Sequence, residues 1–136
     1  MSNSFTFNAQ NQLPNGSPCV LTGYAHASYT NTATITDKSG NVVAKISGSG
    51  GTGNTYAPMN APSGQANYFT PQSSAQPYTI TFTNNGPNQS QYLFANDAIN
   101  SGTTTYAESY TFVTEDASDN DYNDATVFVS WNLTGS

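Results

Sequence analysis

Glu115 to Asp124 reads E-D-A-S-D-N-D-Y-N-D, which puts five of the chain's eight acidic residues in ten positions and neither of its two basic residues. Carboxylates about 5 Å apart repel by roughly 1 to 3 kcal/mol at effective dielectrics between protein surface and water. Any fold open to this chain must therefore splay the segment into solvent or close it around a cation. Oxygen ligands of mixed carboxylate and amide type select a hard ion, calcium ahead of magnesium. A solvated turn is the plain alternative, because Asp and Asn both favour turns. Five like charges with no interleaved Lys or Arg are a poor choice for a mere turn.

The spacing sharpens the metal reading. Asp119, Asp121 and Asn123 fall on every second position, as in the first half of an EF-hand loop. The second half departs from that pattern, with Asp124 where the EF-hand needs Gly and Ser130 where it needs the bidentate Glu. Glu115 and Asp124 instead add carboxylates on either side of the run, so that Glu115, Asp119, Asp121 and Asp124 carry the charge and Asn123 is neutral. Two calcium ions would balance the four carboxylates and take the net charge from −6 to −2. A paired site of this kind leaves coordination positions for water or for the hydroxyls of a ligand.

After the acidic segment, Ala125, Val127, Val129, Trp131 and Leu133 alternate with Thr126, Phe128, Ser130 and Asn132. This is the clearest strand in the chain, and its odd-numbered face is expected in the core. Earlier, Phe5 and Phe7 alternate with polar residues, and Cys19 to Ala25 is a β-branched and aromatic run. Thr30 to Ser47 reads as a hairpin turning at Asp37 to Asn41. Tyr78, Ile80 and Phe82 share a face, Asn84 to Pro87 turns, and Gln91 to Ala95 and Ser109 to Val113 are further strands. Ser47 to Asn54 resembles a linker and is expected to be a loop within the fold, while Tyr56 to Ala75, rich in Pro and Gly, gives no clear pattern. No helical period runs over any long window. The expectation is one all-β domain over residues 1–136, an antiparallel Greek-key β-sandwich of about nine strands.

Only 7% of the residues are charged, so Asn, Thr, Ser, Gln and Gly must supply most of the surface, while 12% aromatic content argues for a packed core. With two basic residues there is no electrostatic footprint for nucleic acid or anionic lipid, and no apolar run is long enough to span a membrane. The single cysteine, Cys19, reads as a buried, unreactive thiol. No signal peptide is legible at Met1 to Asn8, so synthesis in the cytoplasm is expected, with export to the cell surface by another route left open.

The run E-D-A-S-D-N-D-Y-N-D-A-T-V-F-V-S-W closely resembles the C-terminal signature of the calcium-dependent fucose- and mannose-binding bacterial lectins, the LecB-like, fucose-binding lectin II family. That resemblance implies a small β-sandwich holding two adjacent calcium ions, which the ring hydroxyls of the sugar coordinate. It further implies that Leu21 to Ala33, L-T-G-Y-A-H-A-S-Y-T-N-T-A, is the loop carrying the family's N-terminal calcium contact, with His26 at the position of an Asn whose backbone carbonyl meets the metal. A lone His between strands is more often structural or solvent-facing than a side-chain ligand. Ala27, Ser28 and Tyr29 then match the loop that tunes sugar preference. Ala in its first position points to mannose, and Tyr29 is placed to stack on a sugar face. Asp116 matches a carboxylate that accepts a hydrogen bond from the sugar, while Asp119, Asp121, Asn123 and Asp124 both hold calcium and receive the coordinated hydroxyls. The expected partners are mono- or oligosaccharides of mannose or fucose type, and the expected assembly is a homodimer or homotetramer. Family members stop at W-x-L-G, and their terminal carboxylate reaches a partner's calcium site. Here Thr134, Gly135 and Ser136 follow Leu133 and displace that carboxylate by two residues, about 6 to 7 Å if extended.

Two other functions are open to the residues themselves. A calcium-stabilised sandwich with a structural or adhesive role would need the same loop and no sugar. A two-carboxylate glycosidase would need one acid with a raised pKa, whereas divalent ions hold carboxylates ionised, and the lone His26 supports no hydrolytic triad. Enzymatic activity is therefore not expected.

Overall fold

Ten strands pair in two antiparallel sheets in the computed structural model, which describes residues 3–10, 16–51, 55–116 and 119–133. In chain order they are β1 (Ser4–Ala9), β2 (Cys19–Ala25), β3 (Asn31–Thr36), β4 (Val42–Gly48), β5 (Ala57–Pro58), β6 (Tyr68–Phe69), β7 (Gln76–Asn84), β8 (Gln91–Ser101), β9 (Thr104–Glu115) and β10 (Ala125–Asn132). One sheet runs β1-β7-β3-β4, and the other β5-β2-β10-β9-β8 with β6 also on β2. Strands distant in sequence are neighbours, β1 with β7 and β2 with β10, as a Greek-key sandwich requires. There is no helix among the described residues.

Alternation sets the core. On β10, Ala125, Val127, Val129 and Trp131 are buried as expected, and Leu133 packs against them. Leu21, Cys19 and Phe112 join from the same sheet, and Phe7, Ala33, Ile35, Ile46, Ile80 and Phe82 from the other. At one flank the packing is aromatic. Phe7 stacks on Trp131 at 5.7 Å, and Phe5 meets Phe94, Tyr110 and Phe112 at 4.4, 5.2 and 5.7 Å. The opposite faces explain the low charge content. Hydroxyls pair across strands, Ser4 with Thr81 and Thr6 with Thr79 at 3.0 Å and Thr32 with Ser47 at 2.8 Å, where other proteins place ions.

The hairpin β3–β4 turns where expected, with Asp37 Oδ1 accepting the N–H groups of Ser39 and Asn41 at 2.9 Å and Gly40 supplying the positive φ of 85°. Two expectations were too short. The strands read as Gln91–Ala95 and Ser109–Val113 are one long hairpin, β8–β9, paired from Gln91–Glu115 to Ser101–Thr104. From Leu93 onward β8 is exposed on both faces, so its residues carry no alternation to read. In the unpatterned stretch, β5 and β6 pair with β2 through two residues each, too little for any periodicity. The glycine-rich Ser47–Asn54 run is packed where it is described: the Gly50 N–H donates to Ala27 O at 2.7 Å.

Cys19 is fully buried, and desolvation pushes its thiol up to about 12. In the native protein it should react with a thiol-specific disulfide reagent only as fast as the protein unfolds, and stoichiometrically in denaturant. A rapid native reaction would show that β2 opens locally.

Candidate functional site

Strands β9 and β10 are direct neighbours, with Thr114 opposite Ala125, so the acidic segment closes the β9–β10 hairpin. The backbone curls inward because Asn120 and Tyr122 take left-handed conformations, φ 59° and 52°. Asn123 N–H closes an Asx turn on Asp121 Oδ1 at 3.3 Å, and Tyr122 N–H donates to Glu115 Oε2 at 3.2 Å.

Asp124 ties the pieces together. Its N–H donates to Thr114 O at 3.2 Å, and its carbonyl accepts from His26 N at 2.8 Å and Ala27 N at 3.2 Å. One carboxylate oxygen accepts the Asp116 N–H at 2.6 Å. The His26–Tyr29 loop is thereby strapped onto the acidic loop, although about a hundred residues separate them in the chain. The loop's other side is equally fixed. A Cβ at Gly50 would collide with the carbonyls of His26 and Thr55, and the Tyr29 ring lies over Gly86.

The result is an open cleft of about 370 Å³ lined by His26, Ala27, Ser28, Tyr29, Asp116, Asp119, Asp121, Asn123 and Asp124. Glu115 lies fully buried outside this lining. One oxygen from each of Glu115, Asp121 and Asp124 lies within 4.8 Å of the other two, a spread one divalent ion can bridge. All the residues expected at the site are thus brought together, in unequal positions. Glu115, Asp121 and Asp124 converge, and Asp119, Asn123, Asp116, Ala27 and Ser28 border the same space. His26 lines the cleft with its ring stacked on Tyr56 at 4.3 Å. Thr134, Gly135 and Ser136 lie outside the described residues, as do Ala117 and Ser118 of the acidic segment.

Glu115, Asp116 and Asp124 are all buried, and a desolvated carboxylate costs several kcal/mol unless a partner compensates it. The strain falls on Asp124. Burial pushes its carboxyl up from 3.8 to about 7, the charges of Glu115 and Asp116 add to this, and the Asp116 N–H partly opposes it. A residue that pattern reading passed over, Asn31, holds Asp116 by donating from Nδ2 to Oδ2 at 3.0 Å. Its signal was available, since Asn31 shares the inward register of Ala33 and Ile35.

Among curated proteins no sequence matches. The description of the family fucose-binding lectin II (PA-IIL) matches residues 11–133, and the chain belongs to that family. Three solved structures are similar over 98% of this chain. They are a Chromobacterium violaceum lectin in complex with alpha-methyl-fucoside (20% identity, TM-score 0.65, 99% of that chain), the C-terminal domain of a Burkholderia cenocepacia lectin (21%, 0.67, 100%), and a Ralstonia solanacearum high-affinity mannose-binding lectin (22%, 0.66, 99%). These likenesses bear out the sandwich.

In chelator, the folded protein should keep a proton on Asp124 that the unfolded chain releases between pH of about 4 and about 7. Stability of the metal-free protein should therefore fall as pH rises through that window, and saturating calcium should flatten the fall by displacing the proton. Urea denaturation across the window, with and without calcium, checks both. Gly50→Ala should leave the sheets intact by circular dichroism yet displace the His26–Tyr29 loop and weaken calcium binding at least about tenfold.

Proposed function

We propose that this member of the fucose-binding lectin II family is a calcium-dependent carbohydrate-binding protein without catalytic activity, whose ligands are mannose- or fucose-type sugars. The observation that carries the reading is the convergence of Glu115, Asp121 and Asp124 oxygens at a cleft that the Ala27–Tyr29 loop also lines. Buried carboxylates fit calcium through the chemistry of their donors, hard and anionic, with no lysine in the cleft lining. Glu115, Asp119, Asp121, Asn123 and Asp124, with His26 from the facing loop, would hold two ions. When bound, the ions neutralise the carboxylates and offer open coordination positions to vicinal hydroxyls.

The chain's own residues then orient the sugar. Asp116, aimed by Asn31, accepts a hydroxyl hydrogen bond, and Asp119, Asp121, Asn123 and Asp124 accept from the hydroxyls nearest the metal. Ala27 and Ser28 also line the cleft, and resemblance to the family associates Ala at the first of these positions with mannose. Such a site is preorganised, because both walls are fixed by backbone hydrogen bonds from Asp124. A homodimer or homotetramer would multiply weak single-site affinity into avidity. The exposed Leu93, Phe94 and Ile99 of β8 support such self-association.

Calorimetry in calcium should show binding of methyl α-mannoside, more weakly or comparably of methyl α-fucoside, and none of either after EDTA. Calcium at a hundredfold its dissociation constant should stabilise the fold by about 2.7 kcal/mol. Asp121→Asn should reduce both effects. Sugar binding that survives EDTA would overturn the calcium reading, whereas stabilisation by calcium without any sugar heat would leave only a structural ion.

A further inference from the structure

We propose that the turn between β7 and β8 is a working part of the sugar site: Gly86 is a positioning residue that holds the Tyr29 ring as a stacking platform for a bound pyranose. The inference rests on the lectin reading above and goes beyond it in giving a role to residues 84–88, none of which lines the cleft.

Backbone conformation does not call for glycine at position 86. Its φ lies outside the left-handed region that Gly40 and Gly102 occupy, so the turn itself would accept a side chain. What forbids one is Tyr29. A Cβ at position 86 would stand 2.8 Å from Tyr29 Cδ2 and 2.9 Å from Cε2, closer than such atoms approach, so the ring lies directly on the Gly86 backbone. The turn is held in shape by its own amides. Asn84 Oδ1 accepts the Gly86 N–H at 2.7 Å, while its Nδ2 donates to Asn88 O at 3.0 Å and to Oγ of the buried Ser90 at 2.7 Å. Asn85 locks the turn to the residue that follows Tyr29: Thr30 N–H donates to Asn85 Oδ1 at 2.9 Å, and Asn85 N–H donates to Thr30 O at 3.2 Å.

All this bracing serves a ring that the core does not use. Tyr29 is 39% exposed and lies outside the buried cluster, yet it lines the cleft, so it rests on Gly86 and keeps surface open to a ligand. Its backbone is tied to the acidic side as well. Asn31, opposite Asn84 in the β3–β7 ladder, donates from Nδ2 to Tyr29 O at 3.2 Å and to Asp116 Oδ2 at 3.0 Å. One side chain thus aligns the ring-bearing residue with the carboxylate that accepts a sugar hydroxyl. A pyranose offers what each accepts, hydroxyls for Asp116 and an apolar C–H face for the ring. Because the ring is already fixed, little freedom is lost when a ligand covers it. An anionic ligand finds no Lys or Arg in the lining.

The test is calorimetry in saturating calcium with the better-bound of methyl α-mannoside and methyl α-fucoside. Tyr29→Ala should weaken sugar binding about three- to tenfold, the range of one aromatic stacking contact, and Tyr29→Phe should retain most of the affinity. Gly86→Ala should cost a similar factor, since the ring must give way to the new methyl. In a Tyr29→Ala chain the same Gly86→Ala change should have an effect within about twofold, because no ring remains to be displaced. Calcium affinity, titrated without sugar, should stay within about twofold in every variant, and melting temperature in calcium serves as the folding control. Sugar affinity unmoved by Tyr29→Ala overturns the platform. Equal losses from Gly86→Ala with and without Tyr29 overturn the positioning role. So does a loss of calcium affinity in Gly86→Ala, which would mean that the turn acts on the whole His26–Tyr29 loop. If the wild-type protein binds neither monosaccharide in calcium, the lectin reading itself has failed and this inference falls with it.

Discussion

The structure depends on the enclosure of three carboxylates, Glu115, Asp116 and Asp124, at the point where β9 hands over to β10. Left to themselves, desolvated like charges separate, so the loop keeps its shape only because every other constraint on it is strong. The β9–β10 ladder pairs from Thr114–Ala125 to Ala107–Asn132 without a shift, which fixes both ends of the loop. Within it, Asp124 uses its N–H and its carboxylate in hydrogen bonds to the end of β9, at Thr114 and Asp116, and its carbonyl in hydrogen bonds to the His26–Ala27 loop. The residue most strained electrostatically is therefore also the one most firmly held. Without a metal, a proton kept on Asp124 relieves part of the repulsion while the loop stays closed.

Placing the charge there has a second consequence. With hydroxyl pairs such as Thr6–Thr79 and Thr32–Ser47 covering the strands, little of the remaining surface competes for ions. Five of the eight acidic residues sit in one ten-residue segment of a chain with two lysines. The negative field of the molecule therefore concentrates around this segment.

How much of this was legible in the sequence follows the range of the interactions involved. Local signals were read correctly: the period-two alternation of Ala125 to Trp131, the Asp37–Gly40 turn and the acidic loop are each encoded within a few residues of themselves. The outer half of β8–β9 was not, because a strand exposed on both faces from Leu93 to Ser101 has no buried side to impose alternation. The site divided in the same way. The clustering of its acidic residues was legible from Asp and Asn spacing, and the approach of the His26–Ser28 loop to them only through family resemblance. Asn31, which reaches Asp116 across 85 positions, was legible only as an inward polar residue that pattern reading ignores.

The least patterned segment turns out to shape the rim. A β2 edge left open would present unpaired N–H and C=O groups along a central part of the larger sheet. Instead β5 and β6 pair with it in two short steps, Met59 N–H donates to Gly23 O at 2.9 Å, and its side chain packs into space that a Cβ on Gly23 would narrow. Sealing that edge and positioning Tyr56 are the same structural event, since the register that pairs Ala57 with Ala25 sets Tyr56 against His26. The cleft's acidic wall is fixed by a long, regular ladder. The Tyr56–His26 stack hangs on two-residue strands, whose few hydrogen bonds allow sequence change in residues 55–60 to move it without disturbing the acidic wall.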